Sequence, residues 1–124
     1  MTHKEYNGYF NFETWNLNLW MSNDEGSDSY FREVAEGCIR HARAGSCFTQ
    51  KEQATLDLSD ALKEHFEQGK DDLLESAKAS CSVWADLLTA ALSEVNWHEI
   101  AGHMIDEAWE AISEAVAESA EADA

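Results

Sequence analysis

The sequence predicts an all-α fold, a single compact bundle of about five helices, on three observations. There is no proline among the 124 residues, so the commonest helix breaker is missing and glycines and caps must mark the boundaries. Apolar residues recur at helical spacing in each long segment, without strand-like alternation. The connections between segments are short, which packs neighbouring helices antiparallel around one core. At 44% hydrophobic, a chain of this length supports one domain with a true core and not two. The domain is expected to span 1–124, with 1–10 as an N-terminal extension and 120–124 as a frayed acidic tail.

The first helix is expected from about Phe12 to Met21, capped by Asn11 and ended by the turn SNDEG at 22–26. The second is expected from about Asp28 to Ala44, capped by Ser27 and stopped by Gly45, with Tyr30, Phe31, Val34, Ala35, Cys38 and Ala42 on one face. TQKE at 49–52 reads as a capping box, in which Thr49 and Glu52 each satisfy the other's free backbone N–H. The helix it opens carries Ala54, Leu58, Ala61, Leu62 and His65 or Phe66 inward, and Gly69 is expected to end it. A fourth helix starts near Asp71 or Asp72 and buries Leu73, Ala77, Cys81, Trp84, Leu88, Ala91 and Leu92, with serines leaving room for a break at Ser80 or Ser82. The last follows VNWHE, with Asn96 as cap and Glu99 three residues on, and runs to about Ser119. Ahead of all these, EYNGYFNF suits a short extended piece or a turn as well as coil.

Charge narrows the functional classes. With 25 acids against 8 bases, net −17, direct binding of DNA, RNA or anionic lipid is disfavoured, because those polyanions need Lys and Arg to displace counterions. A basic partner fits. Residues 79–124 contain 10 acids and no Lys or Arg, so the C-terminal third presents a single sign. Cys38, Cys47 and Cys81 match no zinc ribbon or redox pair, and MTHKEYNGYF has no apolar signal region, so a reduced, cytoplasmic setting is expected. No apolar run approaches the roughly 18 residues of a membrane span.

No motif argues for catalysis. HEIAGH at 98–103 looks like the zinc motif H-E-x-x-H, but His98 and His103 are five apart, about 140° around a helix, and cannot share one ion from it. Glu99 and His103 are four apart, yet two ligands make no site, so no metal, cofactor or catalytic residue is assigned. The serines and cysteines sit at no nucleophile elbow, and there is no phosphate-binding glycine loop.

The final helix is the informative one. Trp97, Ile100, Ala101, Met104, Ile105, Ala108, Ile112, Ala115 and Val116 form an apolar stripe, and Glu107, Glu110, Glu114, Glu118 and Glu121 a carboxylate ladder. A merely soluble helix normally mixes signs to gain i,i+4 ion pairs, and this one accepts self-repulsion instead. One ladder is too sparse to imitate a duplex, which shows a charge about every 1.7 Å of axis. Acids from several helices would be needed; 17 net charges match about 29 Å of duplex axis. A plain solvated face, or adaptation to high salt, would also produce such acidity.

In NFETWNLNLWM, residues 11–21, Phe12, Trp15 and Leu19 share one helical face while Leu17, Trp20 and Met21 cover another, so burial is expected. Asn11, Asn16 and Asn18 would then serve as cap and polar seam; an exposed Trp15 or Trp20 would instead suit an interface. With Glu13, the residues Asn11, Trp15, Asn16 and Trp20 therefore stand as a motif of either core or interface.

Here the sequence resembles a family of small proteins carried by phages, plasmids and other bacterial mobile elements. The resemblance rests on an N-[FY]-E-T-W-N-x-x-L-W element followed by N-D-x-G, met by Asn11–Asn16, Leu19, Trp20, Asn23, Asp24 and Gly26. It continues in a later stretch at Ala85–Leu88, Ala90–Trp97 and Glu99–Ala101. It implies a genomic setting and no catalytic residues. In size, charge and setting the chain is similar to DNA mimics that block restriction enzymes or CRISPR complexes, an analogy that lends no residue a role. The expectation is a non-enzymatic inhibitor whose acids, Glu99, Asp106, Glu107, Glu110, Glu114 and Glu118, meet a basic nucleic-acid-binding protein or ribonucleoprotein of the host. The rival is an assembly protein whose aromatic motif pairs with a second copy or a partner, the acids serving solubility.

Overall fold

A computed structural model of the chain describes residues 5–122, with the side chains of 5–120; the expected tail residues 123–124 and the first four residues lie outside the described part. It is all-α: α1 (Phe12–Asn23), α2 (Glu25–His41), α3 (Gln50–Ser76), α4 (Val83–Ser93) and α5 (Trp97–Ala122). No strand element occurs among the described residues, and Tyr6 and Tyr9 form a single antiparallel bridge. Between them Asn7 (φ 47°) and Gly8 (φ 87°) both take positive φ, the signature of a tight Asn-Gly turn. Within the expected extension, residues 6–9 thus form a small hairpin turn.

Most caps follow the sequence. Asn11 Oδ1 accepts the Thr14 N–H at 3.0 Å, Thr49 and Glu52 form the reciprocal box, and Asn96 Oδ1 accepts the Glu99 N–H at 3.1 Å. Ser82 caps α4, which realises the anticipated break. The start of α2 differs from expectation: Asp24, not Ser27, is the N-cap, its carboxylate accepting the Ser27 N–H at 2.9 Å. Asp24 also closes α1, so one extended residue turns the chain from one helix into the next. That hydrogen bond holds its carboxyl below the ordinary value, as the bond from the Thr49 N–H does for Glu52. At its other end α2 stops at His41, before the expected Gly45.

α3 overrides the stop expected at Gly69 and continues through Asp71 and Asp72 to Ser76, so no new helix starts there. Glycine inside a helix costs only about 1 kcal/mol, and buried Leu62 before it and Leu74 after it anchor both sides. The helix ends instead at a Schellman turn, where Ala79 N–H reaches Leu74 O at 2.7 Å and Lys78 N–H reaches Glu75 O at 3.0 Å. The left-handed position of that turn is held by Lys78, at φ 57°. α5 likewise exceeds expectation, staying helical to Ala122 where the composition suggests fraying.

α5 packs chiefly on α3 and α2. Leu58, Leu62, Ile100 and Ile105 are fully buried at that junction, each contributing about 1.5–3 kcal/mol. Rings extend it: Phe66 stacks between Phe31 at 5.7 Å and Trp97 at 5.8 Å. No helix of the described residues is long and apolar enough to cross a membrane.

Several apolar expectations fail, those for Phe12 and Tyr30, both left exposed, among them. The stripe of α5 packs only as far as Ile112, and every residue from Ser113 to Ala120 is exposed, Val116 and Ala115 included. The residues Trp84 and Leu88 of α4, expected inside, face solvent, as do Leu73, Ala77, Cys81 and Ala91.

Candidate interaction surface

The sequence-predicted residues divide by what they touch. Asn11 and Glu99 belong to a polar lock between the two ends of the domain. Asn11 Oδ1 takes both the N–H and, at 2.6 Å, the hydroxyl of Thr14, while its Nδ2 donates to the Glu94 carbonyl at 2.6 Å. The Thr14 oxygen then accepts the Asn96 N–H at 2.9 Å, and Glu99 Oε1 accepts the Phe10 N–H at 2.9 Å. The caps of α1 and α5 thereby satisfy each other's orphan backbone groups. Thr14, fully buried at the centre, is not singled out by sequence reasoning as a site residue; its signals are its position three residues after an N-cap asparagine and its place inside the element at Asn11–Asn16.

Around the lock, Glu13, Trp15 and Asn16 are half-buried. Trp15 lies against Tyr6 at 4.9 Å and Phe12 at 5.8 Å. Trp20 overturns the expectation of burial, being 69% exposed, because α1 is covered on one side by α2 and α5 and open on the other. His103 rests on the ring of Tyr9 at 5.7 Å. No group of three His, Cys, Asp or Glu among the described residues could hold a metal. Burial first, and the charge of Asp57 second, push the Cys38 thiol up, which makes it a weak nucleophile at neutral pH.

The six acids expected to meet a partner are not equivalent. Glu99 is consumed by the lock, and Asp106 is held by Lys51 at 2.9 Å. Glu107, Glu110, Glu114 and Glu118 are all exposed, and among the described residues none has an ion-pair partner. They fall within an arc of about 80° and rise roughly 16 Å along the helix. Beyond Ile112 this face stands clear of the body; the side chain of Glu121, the expected next rung, lies outside the described part.

Acids of separate helices do meet, Asp71 and Glu75 of α3 lining one cleft with Asp86 of α4, beside Lys70. Another cleft, of about 200 Å³ between α1, α2 and α5, is lined by Asp28 and Glu36 of α2 and Glu107 of α5, and by Tyr9, Asn18 and His103. Arg32 also lines it and pairs with Asp28 at 2.9 Å, while Glu36 has Arg40 at 3.7 Å. Among the described residues, Glu107 is the carboxylate there with no cation.

These features define an all-helical protein with segregated surfaces, an acidic overhang on α5 and exposed apolar side chains on α1 and α4. The chain belongs to DUF7249, a family of unknown function, whose model matches residues 2–123. No curated protein and no solved structure matched it.

Proposed function

We propose that this protein is a non-enzymatic inhibitor, carried by a phage or another mobile element, that occupies the basic nucleic-acid groove of a host CRISPR or restriction complex. Its mechanism is competition: carboxylates take the positions of phosphates and engage the Lys and Arg that would otherwise bind them. The observation that carries this reading is the overhang of α5, where Glu107, Glu110, Glu114 and Glu118 share one exposed face with no neutralising cation among the described residues. With it go Asp28 and Glu36 of α2, which line one cleft with Glu107 and add a second helix's acids to the ladder. Exposed like charges in a row cost stability and attract a basic surface over a distance set by salt.

The test is displacement of nucleic acid from purified restriction and CRISPR complexes at low and high salt. Displacement that weakens as salt rises, and is lost when the four glutamates become lysine with helicity retained, is the expected result. Inhibition indifferent to salt, or undiminished in the charge-reversed protein, would overturn it.

Trp20 favours a second reading, an assembly protein that docks through its aromatic motif, since a tryptophan 69% exposed is a strong anchor for a partner. Loss of association on Trp20→Ala, with inhibition absent throughout, would select that reading instead.

A further inference from the structure

α4 is an amphipathic helix turned the wrong way for a monomer. Val83, Trp84, Leu87, Leu88 and Ala91 fall within an arc of about 140°. They are exposed, at 61%, 64%, 56% and 37% for the four large ones. Past the edge of the arc at Leu88, Leu92 and Ala85 are half-buried toward the body, where α4 meets α3. Asp86 is the only formal charge in the eleven residues of the helix, and it lies off the apolar arc. In a chain of net −17, this is a strip with almost no charge.

We infer that this strip is the contact between two copies of the chain, packed α4 against α4 across a two-fold axis. Area and charge both select a second copy. The exposed parts of these side chains amount to roughly 450–500 Å² per copy, so an isologous pair removes on the order of 1,000 Å², the lower bound of a specific interface. Two copies repel through their acidic faces, whereas the apolar arc of α4 carries no formal charge itself, with Asp86 of α4 and Asp71 and Glu75 of α3 beside it. Trp84 is the anchor, with Leu87 beside it at the centre of the arc.

The acidic overhang and this strip respond to salt in opposite senses. Binding of a basic partner weakens as salt rises, whereas pairing of like-charged copies through apolar side chains strengthens as their repulsion is screened. Dimerisation can therefore fail without the inhibitor reading failing, and the reverse.

The experiment is sedimentation equilibrium of the full-length protein up to ~100 µM, in about 50 mM and about 500 mM salt. A dimer tighter at the higher salt is expected, with Trp84→Ala and Leu87→Asp each weakening it at least roughly tenfold. Both side chains are exposed, so helicity by circular dichroism should be unchanged, and that control separates lost contact from lost folding. A monomer at every concentration overturns the inference. So does a dimer that Trp84→Ala and Leu87→Asp leave intact, which would place the contact elsewhere, on Trp20 for example. A monomer that instead binds a different protein through Trp84 overturns the second copy as occupant.

Discussion

The Thr14 hydroxyl oxygen accepts the backbone N–H of Asn96 at 2.9 Å, across 82 positions of the chain. The same hydroxyl donates to Asn11 Oδ1 at 2.6 Å, so one buried oxygen joins the cap of α1 to the cap of α5. Thr14→Val keeps the shape and removes that oxygen. It leaves the Asn96 N–H without its partner, and chemical denaturation should show a loss of about 2 kcal/mol. Thr14→Ser, which keeps the hydroxyl, should lose less.

Trp97 and Trp20 should behave oppositely. Trp97 is 8% exposed and stacks on Phe66, so Trp97→Ala should cost about 3–5 kcal/mol. Trp20 is 69% exposed, and Trp20→Ala should change stability by less than about 0.5 kcal/mol. Thermal melts of the two variants make the comparison.

Asp24 and Glu52 give the acid limb of stability a defined sign. Each carboxyl is held below its ordinary value, 3.8 for Asp24 and 4.5 for Glu52, by the backbone N–H it accepts. Their contribution is complete above those ordinary values and is lost as pH falls through the lowered folded ones. Asp24→Asn with Glu52→Gln keeps an acceptor oxygen at both caps and removes the titration. Denaturation midpoints between about pH 5 and pH 2 should therefore fall less in the double variant than in the parent.

Lys78 occupies a left-handed position, φ 57°, that costs a residue with a Cβ about 1 kcal/mol. Lys78→Gly relieves that strain but frees more of the unfolded chain. The net expectation is a gain of about 0.5 kcal/mol, visible as a melting temperature raised by about 2 °C.

Local chemistry was legible in the sequence; the direction in which a face points was not. The caps at Asn11, Thr49 and Asn96 and the break at Ser82 rest on residues within four positions of one another, and each formed. Asp24 displaced Ser27 because an aspartate three residues earlier offers an equally good acceptor and a sharper corner. Gly69 failed as a stop because packing by Leu62 and Leu74 outweighs a local preference of about 1 kcal/mol. In α4 and α1, apolar residues lie on more than one side of the helix. Spacing alone therefore left open which side the body would cover, and Trp84 and Trp20 ended outside. The acidic ladder was legible as Glu107, Glu110, Glu114 and Glu118, whereas the use of Glu99 by the Phe10 N–H and of Asp106 by Lys51 depends on partners distant in sequence.

None of the residues of α4 is fully buried, and the helix leans on the C-terminal part of α3 through partial contacts such as the Lys70 ammonium to the Thr89 hydroxyl at 3.2 Å. Its backbone amides are thus shielded from solvent exchange mainly by its own hydrogen bonds, whereas those of α3 around Leu58 and Leu62 open only when the core does. Two clocks are therefore expected in hydrogen exchange: α4 should exchange its protons by a local opening, and the α3–α5 centre only by unfolding as a whole.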